Sequence, residues 1–195
     1  PPDARGYVVF DVETTGTDPA AARLIQIAAL KVVEGEPDRW NETLVNPGVA
    51  LPLPITRLTG ITPEQLESAP PPREALLRFR EFVGDLVLVA HNGTYDVTVV
   101  NAEADRAGLP PVANPLVDTL ELAVLVEPGL RQYTLVALGA HLGLAFDPES
   151  LHDARADVDL TRRVFEALRE RWAGRPAWLR DTVAALLPPQ EWTAA

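Results

Sequence analysis

The sequence predicts an α/β domain built on a mixed sheet. Three observations carry that prediction. Strand-like runs crowd the first 45 residues, at 7–12, 23–33 and 39–45. After them, strand-like runs alternate with helical patterns, which is how strands joined through helices read in sequence. One later run, "LVLVAHN" at 86–92, is short and continuously apolar, as a central buried strand is.

In order along the chain, Val8, Val9, Phe10 and Val12 supply the β-branched and aromatic side chains of a buried strand. A turn follows at 15–18, where Gly16 and Asp18 precede Pro19. "RLIQIAALKVV" (23–33) forms the second strand, and "RWNETLV" (39–45) alternates as an exposed or edge strand does. These three strands form a meander. The Pro- and Gly-rich stretch from Asn46 to Leu66 is a long connection with short helical pieces. Within it, Thr62-Pro63-Glu64-Gln65 is a helix start, with Thr as cap, Pro first and Gln third. Leu76, Leu77, Phe79, Arg80 and Val83 have helical spacing before Gly84 stops the run.

Beyond the strand at 86–92, residues 94–107 read as a helix ending at Gly108. A short strand spans 115–117, Asp118 caps a helix to about 126, and Thr134 caps another to about 142. A long amphipathic helix runs from Asp153 to Trp172, with Val158, Thr161, Phe165, Leu168 and Trp172 on one stripe. Gly174-Arg175-Pro176 breaks it, and a last helix covers about 176–187. The expectation is one domain over 1–195, with a core at about 7–171 and a helical extension at about 175–195.

Composition narrows the function. With 195 residues there is enough chain for a real core. No apolar run reaches the roughly 18 residues that span a bilayer, and no basic-then-apolar leader opens the chain. A cytoplasmic location without membrane partners is expected. The chain has no Cys, which excludes disulfides and thiolate metal sites. It also has no Met and begins Pro1-Pro2-Asp3, so the expectation is that its initiator was lost or that it was cut from a longer chain, one with a polymerase or helicase part. A polymerase or helicase is also a candidate partner, and the preferred reading of the last apolar helix is a simple C-terminal helix packed on the domain. The net charge of −11 disfavours non-specific binding of nucleic acid, which relies on Lys and Arg. Any nucleic-acid role needs a local site, with metal ions supplying positive charge.

Three stretches carry chemistry. In "VVFDVETTG" (8–16), Asp11 and Glu13 are two apart on a strand and face the same way. In "VAHNGTYD" (89–96), a buried strand ends, turns at Gly93 and begins a helix with Asp96 in its first turn. Ligands of α/β sheets bind at such strand ends. In "HDARAD" (152–157), five helical residues sweep about 500°, so His152 and Asp157 cannot share a helix face. His152 is therefore read in the loop before the helix, Asp153 as its cap and Asp157 one turn in. Asp159 is read on the opposite, solvated side. Each stretch alone has a plain structural reading: a strand end reaching solvent, an acid favouring a helix N-terminus, a surface histidine. Together they leave four acids at element ends. Converging carboxylates raise one another's pKa, and divalent cations relieve the conflict. Mg²⁺ and Mn²⁺ favour carboxylate oxygens.

With these residues the sequence resembles the DEDDh, DnaQ-like 3′–5′ exonucleases, a family that includes the proofreading epsilon subunit of bacterial DNA polymerase III. The resemblance covers about residues 7–171. It rests on "FDVETTG", "AHNGTYD" and "HDARAD", with "LTGIT" (58–62) and the Asp118-Thr119 helix start in support. The family usually has Phe where this chain has Tyr95.

The resemblance implies a ribonuclease H-like fold: a five-stranded mixed sheet, its second strand antiparallel, flanked by helices. It implies two divalent metal ions, Mg²⁺ or Mn²⁺. Asp11 would bridge both, Glu13 and Asp157 would help hold the ion that binds the attacking water, and Asp96 would serve the second. His152 would be the general base, its imidazole able to take a proton at neutral pH. Backbone amides at Thr14 and Thr15 would hold the terminal nucleotide, with Thr15 reaching its 3′ hydroxyl. Leu58 would wedge against the last base unless it is merely core, and Asn92 and Tyr95 would line the pocket. Arg57, Arg131 and Arg155 are candidate phosphate contacts, while His91 and His141 read as structural.

The implied activity is removal of nucleoside monophosphates from 3′ ends of single-stranded or frayed DNA, in proofreading or repair. An RNA-directed exoribonuclease is the alternative. A haloacid-dehalogenase-like phosphatase would need Asp at both early positions and a later Lys, but position 13 is Glu and the single Lys is Lys31. A non-catalytic binding module should have lost some of these acids or the histidine, and none is missing.

Overall fold

In a computed structural model, residues 6–147 and 153–186 are described. Five strands form one sheet: β1 (Gly6–Thr14), β2 (Leu24–Val33), β3 (Glu36–Leu44), β4 (Val87–Ala90) and β5 (Leu116–Asp118). Their order is β3-β2-β1-β4-β5. β2 runs antiparallel to both β1 and β3, while β4 pairs parallel with β1 and with β5. This is the expected five-stranded mixed sheet with its second strand reversed.

The helices are α1 (Leu53–Thr59), α2 (Pro63–Glu67), α3 (Pro72–Val83), α4 (Gly93–Arg106), α5 (Thr119–Val126), α6 (Leu135–His141), α7 (Ala154–Ala173) and α8 (Ala177–Leu186). The chain's own signals set their ends. Thr62 and Gln65 form a complete capping box on α2, and Pro lies at the start of α1, α2 and α3. Asp153 caps α7 by accepting from the Arg155 and Ala156 amides. Among the described residues, no helix is long and apolar enough to cross a membrane.

The two faces of the sheet bury different residues because side chains alternate along a strand. Tyr7 and Val9 of β1 pack with α5, α6 and α7, whose stripe of Val158, Val164, Phe165, Leu168 and Trp172 is buried. Val8, Phe10 and Val12 point the other way and pack with α3 and α4. A small third cluster of Ile25, Ile61 and Leu66 anchors the long connection. β3 is the exposed edge.

Candidate active site

Asp11 and Glu13 follow Tyr7 and Val9 in the alternation, so they share the face that α7 covers. α7 supplies Asp157 in its first turn. One carboxylate oxygen from each of Asp11, Glu13 and Asp157 lies within 4.8 Å of the others, and all three residues are half-buried. Three oxygen donors this close suit a hard divalent cation better than they suit one another.

Asp96 lies outside that 4.8 Å group and comes near Asp11 from the other edge of β1. The β1–β4 pairing ends at Val9–Val89. Beyond it, the Val12 amide donates to Asp96 Oδ1 at 3.1 Å, so a side chain continues where the strand partner stops. Asp96 is buried, in the first turn of α4. Two features of the preceding turn aim it. Asn92 takes the left-handed conformation (φ 57°), and its amide donates to Asp118 Oδ1 at 2.9 Å. Asp118 Oδ1 also accepts from the Leu120 amide, so one carboxylate caps α5 and holds the turn into α4. Gly93 has no room for a side chain: a Cβ there would sit 2.8 Å from the Ala90 Cβ.

Electrostatics records the crowding. The Asp11 carboxyl is raised well above the usual carboxylate range, first by burial and then by the charges of Asp96, Glu13 and Asp157. Burial, with Asp157 and Asp153, pushes Glu13 up to about 7. Asp96 rises to about 8, chiefly from burial, with the Val12 amide opposing and Asp118 and Glu13 adding. Near neutral pH the metal-free cluster therefore holds protons that a bound cation would displace.

Three of the residues expected to meet a nucleotide, Thr14, Thr15 and Tyr95, are bonded at the loop after β1. Tyr95 Oη donates to the Gly16 carbonyl at 2.6 Å, and Thr14 Oγ1 lies 2.7 Å from both that carbonyl and Tyr95 Oη. Two hydroxyl protons thus serve three contacts. The Thr15 amide is not open to a ligand: it donates to the Arg23 carbonyl at 2.9 Å, while Thr15 Oγ1 accepts from the Arg23 amide. That N–H closes the loop, and the hydroxyl proton is what Thr15 has left to offer a nucleotide. Leu58 is 50% exposed on α1, so the alternative that it is merely core does not hold. Asn92 is exposed at the start of α4.

Other expectations fare differently. His152 lies outside the described residues; its neighbour Asp153 caps α7. Asp159 is ion-paired with Arg162 and Arg163 rather than simply solvated. Arg155 stacks on Trp40 at 4.2 Å and pairs with Glu42, so its guanidinium is partly engaged already. His91 Nδ1 is 2.9 Å from Thr119 Oγ1, and burial lowers its pKa. His141 sits against Glu127 and Arg171.

Sequence reasoning missed a second network. Glu103, wholly buried on α4, binds Arg23 and Arg106. The spacing of Glu103 and Arg106 was a visible helical signal. Arg23, 80 positions away, gave none.

The model of the RNase T family of exonucleases matches residues 8–165. PolC-type DNA polymerase III of Streptococcus pneumoniae is 41% identical over 158 residues, which is 81% of this chain and 11% of that protein. The Lactococcus lactis enzyme of the same type is 40% identical over 172 residues, covering 86% of this chain and 10% of that protein. The chain thus spans about a tenth of the length of these relatives. In fold, it overlays Escherichia coli exonuclease I in complex with a dT13 oligonucleotide with a TM-score of 0.78 at 21% identity, over 97% of this chain and 46% of that one. The complex of the same enzyme with dA16 gives 0.76 at 20% identity, over 94% and 46%. With residues 8–165 matched and the mixed sheet shared, this chain belongs to the RNase T exonuclease family, in the DEDDh, DnaQ-like group that its acidic motifs resemble.

Proposed function

We propose that this domain is a metal-dependent 3′–5′ exonuclease that removes nucleoside monophosphates from single-stranded or frayed DNA ends, in the proofreading or repair setting of a replicative polymerase. The observation that carries the reading is the meeting of Asp11, Glu13 and Asp157 within 4.8 Å. Family membership supports it, as do PolC-type relatives and the single-stranded oligonucleotides bound by the exonuclease I structures. The relatives reported above are polymerases, so a polymerase is the proposed partner; nothing among them points to a helicase.

The donor set fits hard divalent ions: clustered carboxylates, no sulfur, and carboxyl pKa values raised first by burial and then by one another's charges. Asp11, Glu13 and Asp157 would hold them, with Asp96 beside. When bound, a pair of Mg²⁺ or Mn²⁺ ions supplies Lewis acidity for both the attacking and the leaving oxygen of a phosphodiester. The chain's own groups do the rest. Asp96 braces β1 through the Val12 amide and so keeps Asp11 and Glu13 in register with it. Thr14 and Tyr95 fix the loop on which the terminal nucleotide rests. Leu58 offers an exposed apolar face to a base, and apolar contact of this kind is tolerant of sequence. His152 is the proposed proton acceptor, taking the water's proton on its imidazole.

The test is digestion of a 5′-labelled single-stranded oligonucleotide, with a 3′-blocked copy and a matched RNA beside it. The reading predicts a ladder shortening from the 3′ end, mononucleotide release, protection by the block, and no activity in EDTA. Internal cleavage, 5′ attack or indifference to EDTA would overturn it. Faster loss of the RNA would move the substrate to RNA.

A further inference from the structure

The loop between β1 and β2 carries Thr15 and Gly16 and has no regular structure until β2 begins at Leu24. Its residues 17, 18, 20 and 21 are exposed. A connection of this kind belongs among the least stable parts of a fold unless something holds it. Here one helix holds it at both ends. Tyr95, in the first turn of α4, binds the Gly16 carbonyl. Arg106, in the last turn, donates to the Ala20 carbonyl at 2.6 Å and to the Ala22 carbonyl at 3.2 Å. Glu103 takes Arg106 Nη1 at 3.0 Å and Arg23 on its other side. From Tyr95 to Arg106 the helix advances about 16 Å, at about 1.5 Å per residue.

Glu103 explains why Arg106 does not wander. The Glu103 carboxylate is wholly buried, and both arginines bonded to it are partly buried beside it. A buried carboxylate with two guanidinium partners costs much to unpair. Arg106 is thereby oriented with its remaining hydrogens on the loop backbone. Inside the loop, the Ala20 amide and the Ala21 and Ala22 amides all bond Asp18, which shapes it into a tight turn that can be held by two carbonyls.

We propose that α4 clamps the β1–β2 loop, and that Arg106, oriented by Glu103, is a positioning residue that keeps the terminal-nucleotide site formed before DNA arrives. The proposal rests on the exonuclease reading above. It takes the helix that carries Asp96 and the loop that carries Thr15 and Gly16 as one rigid unit. A preformed loop spares the substrate the entropy of ordering it. Arg106 itself does not touch the DNA.

The test uses Arg106→Ala, Arg106→Lys and Glu103→Gln in the full chain, with steady-state kinetics on single-stranded DNA and hydrogen exchange at the loop amides. Arg106→Ala should raise KM about fivefold, the worth of one net hydrogen bond, and change kcat less. The amides of Thr17, Asp18, Ala20, Ala21 and Ala22 should exchange faster, while those of the β1–β2 pairing keep their protection. Arg106→Lys, which retains one donor group, should recover part of both effects. Glu103→Gln should loosen the loop without touching any candidate ligand of metal or DNA. An active protein whose variants keep wild-type KM overturns the clamp. A raised KM with wild-type loop exchange also overturns it, because Arg106 would then be meeting DNA directly. A wild-type protein that digests no DNA overturns the exonuclease reading as well, and so is told apart from failure of the clamp alone.

Discussion

Asp11 is where the fold tolerates most. It sits in the central strand, among three other acids, with its carboxyl raised far from the usual range by burial and their charges. Such a residue lowers the stability of the metal-free protein, and the proposed function gives it a cation to hold. Asp11→Asn should therefore separate stability from activity. Nuclease activity should fall at least about 100-fold, the upper end of what loss of a metal ligand's supporting partner costs. The melting temperature in EDTA at pH 8 should rise, since the cost of burying a carboxyl beside three other acids is gone. A variant that is both less stable in EDTA and still active would contradict this account. The shared face of Asp11 and Glu13 was legible in sequence because same-face alternation on a strand is a local rule. The role of Asp118 was only half legible. As a helix cap it obeys a local pattern, but its bond to the Asn92 amide joins residues 26 apart. The bond of the Thr15 amide was not legible for a related reason: its partner, Arg23, lies across a loop whose closure has no sequence signature.

At the scale of elements, α4 and its entry turn decide where Asp96 points. The turn works because Asn92 accepts a left-handed backbone and Gly93 leaves space against β4 and β5. Gly93→Ala would bring a methyl to 2.8 Å from the Ala90 Cβ and 3.1 Å from Leu116 Cδ1. Overpacking of this kind costs about 1–3 kcal/mol. The expected result is a melting temperature lower by about 2–4 °C per kcal/mol, read by calorimetry, with a larger loss of activity than of stability because the helix start moves. Unchanged melting would show that the turn has slack. Most elements were readable from the chain, and each for a stated reason. Val158 to Trp172 repeats at helical spacing, and Thr62 to Gln65 is a complete capping box. α1 was readable only as a short helical piece within a Pro- and Gly-rich connection: its cap, Pro52, makes no side-chain bond and its burial is slight. The clamp between α4 and the β1–β2 loop escaped sequence reading altogether, because tertiary folding alone brings Arg23 to Glu103.

At the scale of the whole molecule, an excess of acid meets a fold that gathers four acids at one end of its sheet. Glu13 near 7 and Asp96 near 8 keep protons in the folded chain that the unfolded chain releases by about pH 4–5. The folded state thus binds more protons between about pH 5 and 8, and metal-free stability falls as pH rises through that window. In EDTA the melting temperature should be higher at pH 5.5 than at pH 8.5, by about 4 °C or more. Millimolar Mg²⁺ or Mn²⁺ should remove most of the difference by binding the folded state alone. A melting temperature that climbs with pH, or ignores metal, would count against the cluster as the source.

The most direct test is calorimetric titration of Mn²⁺ into the metal-free protein at pH 6.5, repeated in buffers of different ionisation enthalpy to count protons. Saturable binding with release of protons from the acid cluster is expected, and loss of that binding in Asp11→Asn. Absence of binding at millimolar Mn²⁺, or binding that releases no proton, would contradict the cluster as a metal site.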